Sequence, residues 1–198
     1  TCGGLANQNN LVEGGNYVVD QVTVAPGGTI QVTATRNAGC GRVNGFQILP
    51  GTICGGLANY CTPGTSASGC QAVMSGTGTP SATAPSGFTV MAGTVEGLKD
   101  GLFFYGDNGQ QANSWGSGTS FQCIVPPVVR AGLLPSTGTI GACDGSFAQD
   151  FNALWASNPL KNPGAGAIVN VQLWYRDPLN TSNQTTSLSD GLNFVVCP

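Results

Sequence analysis

The stretch Phe103-Phe104-Tyr105-Gly106-Asp107-Asn108-Gly109 is a run of aromatic residues that ends in turn-forming residues. Aromatic side chains favour the extended backbone of a strand. Asn-Gly favours a tight turn because both residues accept a positive φ. Asp107 and Asn108 also carry oxygens that calcium accepts, but no spacing typical of a calcium loop surrounds them. We therefore interpret the stretch as a strand entering a turn.

The same alternation of β-forming segments and turns extends along the whole chain. Residues 17–24 and 29–35 are rich in β-branched residues, and Ala25-Pro26-Gly27-Gly28 between them predicts a hairpin. Glycine occurs 31 times and, with proline, separates the candidate strands. This pattern predicts an all-β protein, an antiparallel β-sandwich of jelly-roll or immunoglobulin-like type. The remaining predicted strands are 43–49, 70–75, 87–92, 101–105, 120–125, 166–175 and 192–197.

One segment, 143–156, has helical rather than β periodicity. Its apolar residues recur at i, i+4, i+7 and i+8, the spacing of one helix face. Asp144 or Ser146 is expected to cap the helix start, and Asn158-Pro159 to end it. We predict one short α-helix whose aromatic face packs on the sheet. The apolar positions are Phe147, Phe151, Leu154 and Trp155.

The chain has eight cysteines, and none lies in a CxxC pair. An even number spread over the chain is typical of disulfides formed in an oxidising compartment. We therefore predict four disulfides, an extracellular or cell-surface location, and a secretion signal already removed before Thr1. The cysteines are Cys2, Cys40, Cys54, Cys61, Cys70, Cys123, Cys143 and Cys197.

Sequence spacing suggests, but does not determine, how these cysteines pair. Cys61 with Cys70 and Cys123 with Cys143 would each close a local loop. Cys197 would then pair with one of the three cysteines of the first 54 residues. Many other pairings are compatible with the same count.

The composition narrows the function classes. Hydrophobic residues make up 40% of 198, enough for a sizeable core, while charged residues make up only 8%, against roughly 25% in an average domain. The six Lys and Arg are scattered singly in a chain of net charge −3, which argues against nucleic-acid binding. No apolar run approaches a membrane span. The low charge fits either a polar secreted surface or a subunit surface covered by neighbours.

The residues available for catalysis are few. The chain contains no histidine, so Ser-His and Cys-His nucleophile pairs are excluded. Nine carboxylates remain, and glycoside hydrolysis needs two at a set separation. Glu96 and Asp100 lie near each other in sequence, but no local pattern marks an acid and a base. We predict no catalytic residue, no cofactor and no metal site.

Aromatic residues are the best candidates for binding a sugar. Trp115 lies in the Gly/Ser-rich loop Asn113-Ser114-Trp115-Gly116, which predicts an exposed ring. Trp174 and Tyr175 are neighbours in a predicted strand, so their side chains point to opposite faces and one belongs to the core. Trp115 is therefore the predicted ligand-binding aromatic.

The sequence Cys-Gly-Gly-Leu-Ala-Asn occurs twice, at 2–7 and at 54–59. The two copies bracket the predicted hairpin region. We therefore divide the chain into an N-terminal β-hairpin extension, 1–59, and a β-sandwich domain, 60–198. Residues 8–51 are predicted to add strands to a neighbouring subunit. Such head-to-tail contacts build a filament when they do not close; a duplicated turn without further consequence is the alternative.

Several stretches between residues 60 and 198 share a pattern with one group of exported proteins, namely 60–70, 99–106, 173–178, 181–183 and 188–191. Through them, residues 60–198 resemble a secreted domain found at the C-terminal ends of large exported proteins of planctomycete-type bacteria. The resemblance implies an exported domain of this β fold and carries no catalytic residue.

Taken together, these observations predict a non-enzymatic extracellular structural protein of the cell surface or matrix. Self-association through residues 8–51 would make it a filament subunit. The alternative is a carbohydrate-binding or adhesive module with a polysaccharide partner. A carboxylate-based glycosidase is the third hypothesis.

Overall fold

The computed structural model describes Gln31 and residues 54–180 and 184–198. Strands dominate this part of the chain, and short turns rich in Gly, Pro and Asn join them. The strands are β1 (Gly55–Tyr60), β2 (Val73–Gly78), β3 (Phe88–Val95), β4 (Asp100–Gly106), β5 (Gln110–Ser114), β6 (Phe121–Ile124), β7 (Val129–Arg130), β8 (Leu134–Pro135), β9 (Gly145–Asp150), β10 (Ile168–Arg176) and β11 (Thr186–Val195). The helices are α1 (Phe151–Ser157) and a 3-10 turn (Pro159–Lys161).

The strands form three sheets, and every pairing between them is antiparallel. The largest sheet has the order β1-β11-β10-β4-β7, and the short β8 also pairs with β4. A second sheet has the order β2-β3-β9, and β5 and β6 form a hairpin of their own. The predicted all-β, antiparallel fold class is confirmed.

The core lies between the largest sheet and the β2-β3-β9 sheet. Alternate residues of β10 and β4 face it, such as Leu173, Tyr175 and Phe103, and all three are fully buried. Phe88 and Val90 of β3 cover them from the opposite side. Strands of period two therefore present one apolar face each to a shared interior, the arrangement of a β-sandwich.

The predicted helix exists but is shorter than the sequence pattern indicates. It begins at Phe151, and Asp150 caps it by accepting the Ala153 N–H at 3.0 Å. The predicted caps Asp144 and Ser146 are therefore wrong. Phe147 lies in β9 instead, although it is buried in the same core as Phe151. The helix ends at Asn158 before Pro159, as predicted.

Three disulfides connect the six cysteines that the structure describes. They join Cys54 to Cys197, Cys61 to Cys123 and Cys70 to Cys143. The two predicted local pairings, of Cys61 with Cys70 and of Cys123 with Cys143, are wrong. Each bridge instead connects segments that are distant in sequence, because the sheet topology brings them together. None of the described cysteines is free, and Cys2 and Cys40 lie outside the described residues.

The chain divides into two units, Thr1–Gly51 and Thr52–Pro198. The second unit therefore begins before β1, which belongs to its largest sheet, and not at residue 60. Apart from Gln31, the predicted strands 17–24, 29–35 and 43–49, and the residues 8–51 predicted to donate strands, lie outside the described residues. Strand donation stays a prediction. Within the described ranges, no helix is long and apolar enough to cross a membrane.

Candidate binding groove

The largest sheet carries a second apolar surface on the side that faces away from the core. Leu102 and Phe104 of β4 alternate with the core residues of that strand, and Trp174 of β10 and Leu188 of β11 lie beside them. The cross-strand register places Leu102 directly opposite Trp174. Both faces of β4 are therefore apolar, and the outer one needs a cover.

The β5–β6 hairpin covers part of this outer surface, and the buried side chain of Gln172 anchors it. The Gln172 amide donates to the carbonyl of Phe121 at 2.8 Å and accepts from the N–H of Cys123 at 3.0 Å. The disulfide between Cys61 and Cys123 ties the same strand to the residue after β1. The Gln172 side chain and the Cys61–Cys123 disulfide together fix the position of the hairpin against the sheet.

Trp115 follows β5, at the point where the hairpin turns. Its backbone N–H donates to the Ser120 carbonyl at 2.9 Å, which closes the turn. Its indole Nε1 donates to Thr186 Oγ1 at 2.9 Å, which fixes the ring over the sheet. The ring is half-buried against the outer apolar surface rather than fully exposed. The turn and the indole bond together orient a flat apolar ring beside Trp174.

The hairpin and the sheet border a partly open groove of about 300 Å³. Two half-buried tryptophans contribute to its lining, and two polar side chains, Gln122 and Arg130, complete it. This combination of aromatic surface with a few polar groups is typical of ligand sites. The lining residues are Leu102, Phe104, Trp115, Gln122, Val128, Arg130, Trp174 and Leu188.

Arg130 is the only charged residue among those lining residues. It stands opposite Phe104 in the β4–β7 pairing, which places it on the groove side of the sheet. The described part of the chain offers its guanidinium no ion pair, since the single salt bridge found there joins Lys99 and Glu96. The guanidinium is therefore available to an anionic partner.

The carboxylates that suggested a glycosidase have other contacts. Glu96 is buried, pairs with Lys99 at 3.1 Å and accepts the Gly141 N–H at 3.2 Å. Asp100 is exposed at the first position of β4. Glu96 thus fixes the 137–143 loop, and neither carboxylate lines the tryptophan groove.

The predicted turn at 106–109 is present and leads from β4 into the hairpin. Gly109 has a φ of 105°, as such a turn requires. The amide of Asn108 donates to the Pro127 carbonyl at 3.1 Å. Asp107 and Asn108 line a second groove of about 300 Å³ beside the 3-10 turn. The described residues contain no group of three or more acidic or cysteine side chains suited to a metal.

A buried polar cluster lies at the end of β10. Oδ2 of Asp177 accepts from the Ala67 N–H, from Asn180 Nδ2 and from Ser187 Oγ, at 2.7–2.9 Å. Tyr175 is fully buried nearby, and Ser187 and Ser66 lie close to its hydroxyl. Burial, with the negative charge of Asp177, raises the pKa of Tyr175 to about 12.

We expect the Tyr175→Phe variant to resist alkali better than the parent protein. An unfolded tyrosine ionises near pH 10, whereas folded Tyr175 keeps its proton to about 12. The stabilising contribution of the Tyr175 hydroxyl is therefore present below pH 10 and is lost as the pH rises through about 12. The full loss is about 2–3 kcal/mol, and about half of it is reached at pH 11. The variant lacks this loss.

Urea unfolding of both proteins at pH 7 and at pH 11 measures the effect. Tyr60 and Tyr105 also have pKa values raised by burial, so both proteins lose some stability in alkali. The assignment to Tyr175 is tested by comparing how much free energy of unfolding each protein loses between pH 7 and pH 11. Equal losses in both would contradict the assignment to Tyr175.

The structure brings together two residues that the sequence did not connect. Trp115 was the predicted ligand-binding aromatic, and Trp174 was one of two neighbours of which one had to be core. Tyr175 is the core residue, and Trp174 joins Trp115 in the groove. In the sequence, Arg130 is one of six scattered cations. The signal that could have revealed the groove is Leu102–Tyr105, four large apolar residues in a row, which indicates a strand covered on both faces.

Comparison with known proteins found no matching family model, no similar curated protein and no similar solved structure. The resemblance to the planctomycete-type exported domain stays a prediction.

Proposed function

We propose that this chain is an extracellular, non-enzymatic module that binds polysaccharide in the groove between Trp115 and Trp174. The observation that carries the proposal is the joint position of two indoles, an amide and a guanidinium around one open groove. A sugar ring has an apolar C–H face and a polar edge. The indoles suit the face, and Gln122 and Arg130 suit the edge.

The location is supported by the cysteines and by the surface. Disulfides persist in oxidising compartments, and three connect the described part of the chain. Charged residues make up only 8% of the chain, so its surface presents few charges to a hydrated polymer. Both features suit a protein that works outside the cell.

The shape of the groove favours a polymer over a small free ligand. The groove is partly open to solvent, so a ligand bound in it can extend beyond it. A second groove adjoins it, and Val128 lines both. The neighbouring surface can therefore contact sugars that extend beyond the two tryptophans.

We expect Trp115→Ala and Trp174→Ala each to weaken polysaccharide binding about five- to tenfold, since an aromatic ring contact contributes about 1 kcal/mol or more. Leu179→Ala is the matched control, because Leu179 is 81% exposed and lies outside both grooves. Affinity electrophoresis through gels containing neutral or acidic polysaccharides gives the comparison. A circular dichroism spectrum of each variant shows that it is folded.

The proposal is overturned if no polysaccharide retards the parent protein. It is also overturned if both tryptophan variants are retarded as strongly as the parent. Intrinsic fluorescence gives a second readout. Trp155 is buried in the core, so a spectral change on adding oligosaccharide reports Trp115 and Trp174.

A further inference from the structure

The groove carries one formal charge, and that charge is positive. Its lining includes Arg130 and neither Asp nor Glu, in a chain whose net charge is −3. Arg130 is exposed, and it gives the groove a local charge opposite in sign to the net charge of the chain. Local charge rather than net charge decides which ligand a groove accepts.

The position of Arg130 leaves its guanidinium free to bind a ligand. The backbone carbonyl of Arg130 accepts from Lys161 Nζ at 3.1 Å, and β7 pairs with β4 at Phe104 and Tyr105. These contacts hold the backbone of Arg130. The guanidinium itself has no hydrogen bond and no ion pair among the described residues. A fixed backbone with a free planar donor group is suited to bidentate capture of a carboxylate.

From these observations we propose that the groove selects a polysaccharide of uronic acids, with Arg130 binding the sugar carboxylate. This inference rests on the proposed polysaccharide binding and names its substrate class. In a uronate the carboxylate is attached directly to the ring. One sugar unit can therefore stack on an indole and reach the guanidinium at the same time.

The second groove does not add to this selectivity. Lys161 lines it, but Asp107 lines it as well. The two charges offset each other, so this groove accepts polymer without favouring an anion. Selection between acidic and neutral sugars is therefore assigned to Arg130.

The test uses polygalacturonate and its methyl ester, which share one backbone and differ in charge. The parent protein should bind polygalacturonate about five- to tenfold more tightly than the ester. Arg130→Gln should remove that preference, because it should weaken binding to polygalacturonate more than binding to the ester. Arg130→Lys, which keeps the charge and loses the planar fork, should fall between them. Arg176→Gln removes the same charge outside both grooves and should behave as the parent.

The outcomes separate this inference from the proposed function. Equal binding of the acid and the ester by the parent overturns the selectivity and leaves polysaccharide binding intact. An equal loss for both polymers in Arg130→Gln also overturns it. Preference for dextran sulfate over polygalacturonate would assign the guanidinium to sulfate and overturn the uronate assignment. No binding to any of these or to neutral polymers overturns both proposals.

Discussion

Replacing Phe151 with alanine is expected to lower the free energy of unfolding by about 3–5 kcal/mol. Phe151 is the first residue of α1 and is fully buried. Its ring centroid lies 5.4 Å from that of Tyr105, 5.7 Å from that of Trp155 and 6.1 Å from that of Phe103. Alanine would leave a cavity between the helix and β4 that rings fixed by the sheet cannot fill.

Urea denaturation followed by circular dichroism measures this loss. Phe151→Leu serves as the graded control and should cost less, because leucine keeps most of the apolar volume. Leu179→Ala, at an 81% exposed position, should leave the unfolding midpoint within experimental error. A loss below about 1 kcal/mol for Phe151→Ala would mean that the helix does not close the core.

The sequence predicts the core strands well because their side chains carry the information. Residues 87–92, 101–105 and 166–175 are rich in β-branched and aromatic residues, and they correspond to β3, β4 and β10. The strand predicted at 192–197 belongs to β11, which begins earlier, at Thr186. Its first residues, Thr-Ser-Leu-Ser-Asp-Gly, have no continuous apolar pattern. They are part of the strand because they pair with β10.

The strands that the sequence does not predict have weak local preferences. β1 is Gly-Gly-Leu-Ala-Asn-Tyr, β5 is Gln-Gln-Ala-Asn-Ser and β9 is Gly-Ser-Phe-Ala-Gln-Asp. Such residues are depleted in strands in general. These segments are extended because a neighbouring strand offers hydrogen-bonding partners. The neighbouring strand is distant in sequence, so local sequence patterns do not reveal these strands.

The same limit explains the error at the helix start. Phe147 and Phe151 are four residues apart, which fits one helix face, but two strand residues on one face are also separated by an even number. Phe147 pairs with Ala92 of β3 in the sheet. Both residues reach the same core, so the apolar spacing is satisfied by a strand followed by a helix. Asp150, between them, is the residue that marks the change.

The groove depends on contacts that are distant in sequence. Trp115 and Trp174 are brought together by the β5–β6 hairpin, and the hairpin is anchored by Gln172. A polar residue among large apolar ones in β10 suggested no role in the sequence. In the structure this buried amide replaces a missing strand partner for β6. It thereby fixes the wall of the groove at the place where two faces of the sheet must be covered.

The disulfide arrangement leads to the second large expected effect. Removing the bridge between Cys70 and Cys143 by a double substitution to alanine should cost about 3–4 kcal/mol. The two residues are 73 apart in sequence. The retained bridge between Cys61 and Cys123 shortens the path between them to about 30 residues, and the entropy of closing that loop sets the expected loss.

If the two bridges share a loop, the cost of removing one depends on whether the other is present. If each bridge acts only locally, the two costs are independent. In a background that lacks Cys61 and Cys123, the Cys70–Cys143 bridge closes the full loop of 73 residues. Removing it there should therefore cost more, by about 0.8 kcal/mol. Guanidinium unfolding of the four proteins gives the comparison, and peptide mapping without reduction confirms the pairings beforehand. A smaller cost in that background would show that the bridges do not share a loop. Recovery of a peptide pair linked through Cys61 and Cys70 would contradict the observed pairing of Cys61 with Cys123. β1 and β6 would then have no covalent connection across the groove wall.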